Sequence, residues 1–295
     1  MPIGPETSQI ADAAAPRSLK GILTGLSVAL LCLQTVLWAR ISFEDLRFGI
    51  LCLAALVALV STKRQSVTLG SDPASTIAGL GIILFVICRT SGEAGTLFAA
   101  VAPVFWGAGL LLVATGVSGL AQFWKEGLVL GAVVITPFVE TFMLDFAGID
   151  LTPVTAQAAA YILRITGWEA SASGMLINLP TAWIVVAQGC SGLKTMYFLT
   201  GFAVIVLLVF PVPGAVRKLV SLVGACLIGF IVNAGRVAVL AAAAAPDRRQ
   251  AFKFWHVQQG AMFFEALAAG LFLIFFYFLM PERRSRSLTR PQFPK

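Results

Sequence analysis

A chain of 295 residues in which 58% are hydrophobic and only 12% charged has about half the charge of a soluble domain, and its mean hydropathy is +0.90. That excludes a globular protein living in water and points to a polytopic, all-α membrane bundle. The net charge of +7 does not indicate nucleic acid: the basic residues flank apolar runs, where they set topology and meet anionic headgroups, and form no aromatic-interleaved stripe.

In chain order, residues 1–18 form a polar, small-residue-rich cytoplasmic N-terminus that is expected to be disordered. Arg17 and Lys20 precede an apolar run at 21–38, whose exit, Trp38-Ala39-Arg40, carries no small-x-small cleavage site; it reads as a retained first span. Further spans are expected at 46–60, 76–88 (with an extension back toward Leu69), 97–120, 127–143, 193–210, 219–245 and 257–280, about eight in all. The second and third are short. The fourth holds five glycines and prolines, and the fifth holds Pro137, which neighbouring helices can accommodate. A single transmembrane domain over 19–281 results, followed by a basic cytoplasmic tail at 282–295. There is no internal repeat.

Between the fifth and sixth spans lies the largest extramembrane stretch, 144–189. Within it, 153–166 has helical spacing with Val154, Ala158, Tyr161, Ile162 and Ile165 on one side, as an interfacial helix would. Residues 175–187, rich in Ile, Val and Trp and interrupted by Pro180, suit a short strand pair.

The positive-inside rule sets the orientation. Arg17, Lys20, Lys63, Arg64, Lys125, Arg217, Lys218 and the arginine-rich tail fall inside if the N-terminus is cytoplasmic, against a smaller outer set that includes the local cluster Arg248, Arg249 and Lys253. The insertion 144–189 is then external. Three residues from three consecutive spans also reach the outer face: Cys190 at the start of the sixth, Arg236 in the outer half of the seventh, and His256 at the start of the eighth.

Cys32, Cys52, Cys88 and Cys226 lie in apolar runs and read as buried, inert thiols. Cys190 differs, lying in Gln188-Gly189-Cys190-Ser191-Gly192 where a loop enters a helix; a thiol there meets the positive end of the helix dipole, which favours the thiolate. The glycines alone could equally serve a tight turn. Arg236 is costly in an apolar helix, about 2.5–3.5 kcal/mol on insertion scales, and calls for a cavity or a partner. Asn233, one turn earlier, can hold its guanidinium; a structural tether between helices is the competing reading. His256, the only histidine, can be an interfacial side chain. Together the three supply a nucleophile, a proton carrier and a fixed positive charge, as acyl transfer requires. No Asp or Glu is evidently paired with His256, which separates the set from a Ser-His-Asp arrangement. The pattern calls for no cofactor and no metal: a single histidine, without His-Glu-x-x-His, does not make a metalloprotease.

Cys190-Ser191-Gly192-Leu193, Asn233-Ala234-Gly235-Arg236 and His256 followed by Gly260 resemble, in order and placement, the exosortase/archaeosortase family. The resemblance covers about 97–280; Gly189 stands where alanine is common before the cysteine. It implies a membrane-embedded, sortase-like cysteine transpeptidase in the cytoplasmic membrane. Cys190, Arg236 and His256 would be its catalytic residues. Its substrates would be exported proteins with a C-terminal signal of short motif, membrane helix and basic tail, often beside exopolysaccharide production. Competing classes are a transporter in which Arg236 binds an anionic group, for which matched broken helices are missing, and a non-catalytic scaffold for polysaccharide export. Proteolysis through Ser191 would leave Cys190 without a role.

Overall fold

The computed structural model describes residues 17–41, 43–63, 67–90, 96–142, 148–256 and 258–280. The expected disordered N-terminus and the basic tail lie outside them, apart from the first residues of α1. The chain separates into two compact units, Met1–Phe138 and Val139–Lys295.

The first unit holds α1 (Arg17–Ile41), α2 (Phe43–Lys63), α3 (Pro73–Thr90), α4 (Thr96–Gly119), a 3-10 turn at Leu120–Phe123, and most of α5 (Trp124–Thr141). Asp72 starts α3: its carboxylate accepts the Ser75 backbone N–H at 3.0 Å and the Ser75 hydroxyl, with Pro73 supplying the first helical φ. The cap fixes the start at Pro73, so the helix does not extend back to Leu69. α3 and α4 meet through small residues. A Cβ on Gly79 would lie 2.6 Å from the Gly109 carbonyl, and one on Gly109 would lie 2.9 Å from that of Gly79. Gly116 (φ 64°) breaks α4 beside Ser71 and Asp72, a conformation that favours glycine. The buried Gln34 donates to the Ala99 carbonyl (2.9 Å) and accepts from Trp106 Nε1 (3.2 Å), tying α1 to α4. Lys63 at the end of α2 pairs with the buried Glu126 of α5 at 2.9 Å.

The second unit holds α6 (Thr152–Ile165), strands β1 (Ser171–Ser173), β2 (Leu176–Asn178) and β3 (Trp183–Val185), a 3-10 turn at Gln188–Cys190, α7 (Leu193–Val209), α8 (Ala215–Ala242), α9 (Arg249–His256) and α10 (Gln258–Leu279). The expected strand pair is a three-stranded antiparallel sheet in the order β1-β2-β3. Gly174, at φ 58°, makes the first turn, and β1 ahead of it lies outside the 175–187 stretch expected to hold the pair.

α6 lies where a helix was expected, with most of the apolar side named from its spacing left exposed. Thr155, Ala156, Ala159, Ala160 and Leu163 are buried, while Val154, Tyr161 and Ile165 are exposed. Small side chains let α6 lie close on Val237, Ala238 and Ala241 of α8, with Ile177 and Val186 completing the cluster. The bulky residues, left outside, form the face that an interfacial helix would turn to lipid.

α7 and α8 approach closely where Gly229 meets the backbone of Thr195 and Met196, about 3 Å from a would-be Cβ. α10 packs against both: Phe272 meets Phe202 of α7 with centroids 5.8 Å apart, and Phe275 lies against Gly224 of α8. α9 turns into α10 at an elbow where Gly260 touches the Trp255 backbone and Trp255 meets Phe263 and Phe264 edge to face.

The protein is thus an all-helical membrane protein with one small sheet. By length and composition, four candidate spans stand out among the described residues: 73–90, 101–132, 215–242 and 262–279, the second running across the α4–α5 junction. Three shorter apolar helical stretches, Ile22–Leu37, Cys52–Lys63 and Leu193–Val209, accompany them. Every expected span coincides with a helix, although this measure does not reach a count of eight. Cys32 and Cys88 are exposed on helix surfaces rather than buried, Cys226 is half-buried and Cys52 is buried. On a spanning helix, an exposed surface meets hydrocarbon.

Candidate active site

Cys190 is placed by the elements on either side of it. β3 runs through the buried Val186 into the 3-10 turn, where Cys190 N–H donates to the Ala187 carbonyl at 2.8 Å and Ser191 N–H to that of Gln188 at 2.9 Å. Gly192 then reverses the chain with φ +92° and α7 begins at Leu193. The glycine is required twice over: for that φ, and because a Cβ would lie 2.9 Å from the Asn233 amide nitrogen.

The space left by that glycine brings α8 to the loop. Asn233, itself buried, donates its side-chain amide to the Cys190 carbonyl at 2.9 Å. From the other side, the Thr155 hydroxyl of α6 donates to the Ser191 carbonyl at 2.6 Å. Two successive carbonyls are therefore captured by two helices, and the Cys190 side chain packs half-buried against the α6–α8 cluster. Ser191 is 2% exposed and its hydroxyl oxygen faces the Leu193 N–H at 3.4 Å, so it serves the loop and is poorly placed as a nucleophile.

One turn beyond Asn233, Arg236 reaches toward α9 and donates from Nη2 to the His256 carbonyl at 3.5 Å, a long bond. Its Nε is buried and, among the described residues, has no hydrogen-bond partner. Asn233 therefore holds the cysteine loop rather than the guanidinium, contrary to the expectation from spacing.

His256 is the last residue of α9 rather than the first of the final span. Its ring stacks on Phe252 one turn earlier, with centroids 5.3 Å apart and planes 13° from parallel, and the residue is exposed. Among the described residues no carboxylate is bonded to the imidazole, and no group of three His, Cys, Asp or Glu could hold a metal ion.

α8 thus connects the three positions: through Asn233 to Cys190, and through Arg236 to the backbone of His256. Sequence reading missed Thr155, an ordinary helical threonine 35 positions ahead of the cysteine whose partner is a backbone carbonyl. It also missed the break between α9 and α10. The spacing of Arg249, Gln250, Lys253 and His256 among Ala251, Phe252, Phe254 and Trp255 is the signal that a separate amphipathic helix stands there.

Helices crossing a membrane several times, with a cysteine turn pinned at the end of a helix pair and an arginine reaching from the adjoining turn, define a multi-pass membrane protein with a polar site built at the bundle's end. The chain belongs to the transmembrane exosortase family, whose family model matches residues 19–275. No curated protein and no solved structure is similar enough to match.

Proposed function

We propose that this exosortase-family protein is a cysteine peptidase/transpeptidase acting on exported proteins at the outer face of the cytoplasmic membrane. Its substrates carry a C-terminal sorting signal of short motif, membrane helix and basic tail. The observation that supports this most is the buried Nε of Arg236, unpaired among the described residues, on the turn of α8 next to the residue that grips the Cys190 loop. A buried donor without a partner costs about 1–3 kcal/mol, and an arriving oxyanion satisfies it.

In this mechanism, the Cys190 thiol gives its proton to the His256 imidazole. The thiolate attacks the scissile carbonyl carbon, the C–S bond forms, and the carbonyl electron pair moves to oxygen beside the Arg236 guanidinium. Collapse breaks the C–N bond. The leaving amine takes the proton from the imidazolium and the thioester remains. Water or an acceptor amine, deprotonated by the imidazole, then attacks the thioester and Cys190 leaves as thiolate.

Mass spectrometry of the mature C-terminus of an exported protein bearing such a signal tests this. Cleavage ahead of the apolar helix should occur with the wild-type enzyme and disappear with Cys190→Ala. Unchanged processing by a Cys190→Ala protein present at normal abundance in the membrane would sink the proposal.

A further inference from the structure

We infer that the outer edge of β3 is a docking strand for the exported protein: an extended stretch next to the scissile bond adds to the sheet there and is led along β3 to Cys190. This rests on the reading of Cys190 as the nucleophile. In the antiparallel β2–β3 pair, Leu179 N–H donates to the Ala182 carbonyl at 2.8 Å and Val186 N–H to that of Met175 at 2.9 Å. Bonded pairs recur at every second position, so with Ile177 opposite Ile184 the main-chain groups of Ile184 turn toward β2. Those of Trp183 and Val185 turn outward, and among the described residues no strand lies on that side.

The side chains agree with an occupied edge. Trp183 is 68% exposed and Val185 53%, on the same face of the strand, while Ile184 and Val186 point into the α6–α8 cluster. The stretch 181–187, Thr-Ala-Trp-Ile-Val-Val-Ala, has no charge and no proline, the devices that keep a bare edge from pairing. At the opposite edge of the sheet, β1 is only Ser-Ala-Ser. The apolar edge is the one whose chain continues into Cys190, five residues after Val185.

An extended peptide supplies what this edge needs, which is alternating donors and acceptors at strand spacing together with side chains to lie against Trp183 and Val185. A lipid surface offers no such spaced row of groups.

The test uses the full-length Cys190→Ala protein in nanodiscs and a fluorescent synthetic peptide. The peptide copies the residues just ahead of the apolar helix in an exported protein with such a tail. Single N-methylation along it should weaken binding about tenfold or more at alternate positions and leave the intervening ones within about twofold, because only alternate amides face the edge. In the otherwise wild-type enzyme, Val185→Pro removes one outward N–H without touching the β2–β3 bonds. It should raise KM by a similar factor while a small thiol reagent labels Cys190 at the wild-type rate. A flat N-methyl profile, absence of peptide binding, or disulfide-linked dimers of a Val185→Cys protein as the dominant species would overturn the inference. Quenching of Trp183 by bromolipid that persists when saturating peptide is present would assign the edge to lipid and overturn it too. An alternating profile with processing that survives Cys190→Ala would leave the docking strand standing and remove the nucleophile assignment instead.

Discussion

The side-chain amide of Asn233 donates to the main-chain carbonyl of Cys190 at 2.9 Å, in a space that exists because Gly192 has no side chain. Asn233 is thereby a positioning residue: its bond is to the backbone of the cysteine turn. Asn233→Ala leaves a carbonyl short of its partner, a loss of about 1–3 kcal/mol in the loop's preference for its present form. Processing should fall while the protein still inserts. Asn233→Asp should be worse, since a carboxylate oxygen then faces a carbonyl oxygen. Relative kcat at matched membrane abundance measures both; equal activity of Asn233→Asp and wild type would show that the bond does not hold the site.

Arg236→Lys separates directed hydrogen bonding from charge. Lysine keeps the positive charge but loses the planar fork and with it the Nε donor. A stable, inserted and inactive protein is expected, with a loss on the order of 10²–10³ in kcat. Near-normal activity would mean that a point charge is enough. Loss of protein from the membrane would mean a structural tether to the α9 backbone.

The thiols report topology. A membrane-impermeant reagent applied from outside (with the outer envelope opened if there is one) should label Cys190 and spare the other four cysteines. Cys52 is buried in the protein, and Cys32, Cys88 and Cys226 lie on apolar helices. Labelling of Cys190 only from the cytoplasmic side would reverse the orientation and move the reaction to the wrong compartment.

Asp72 makes the first unit's stability depend on pH. The hydroxyl of Ser75 and then its backbone N–H hold the Asp72 carboxyl below its ordinary value of 3.8. A folded-state value below the unfolded one means that the cap's contribution is complete above 3.8 and is lost as pH falls through the folded value. Asp72→Ala should therefore unfold at lower temperature than wild type at neutral pH, with the gap closing in that acid range. Asp72→Asn, which still caps, should keep most of the stability and lose its acid dependence. Thermal scans in detergent across the range decide it; a constant gap for Asp72→Ala would show that the carboxylate's charge is immaterial.

Helices were legible wherever the signal was a long apolar run, because hydrocarbon demands that the backbone satisfy itself locally. The ends were less so. α3 begins at Pro73 because of a cap made by Asp72, and hydropathy does not see caps. The face of α6 that packs on α8 was not legible for a related reason: large apolar residues announce a face, but close packing onto α8 selects Ala and Thr, and the bulky face is left outside. At the site, Cys190 and Arg236 stood out as an unusual thiol and an unusual charge. Thr155 did not, because its value is a contact across 36 positions. Asn233 was noticed but given the wrong partner: spacing along one helix shows which residues share a face, not which loop comes to meet them.

The cysteine turn is clamped by short bonds from α6 and α8, whereas the histidine sits at the tip of a small amphipathic helix joined to Arg236 by one long contact. One side of the site is bolted to the bundle and the other is hung from an elbow. On the proposed reaction, the hung side is the one with room to drift: substitutions along α9 would re-aim the imidazole for a bulkier or slimmer acceptor without remoulding the seat of Cys190.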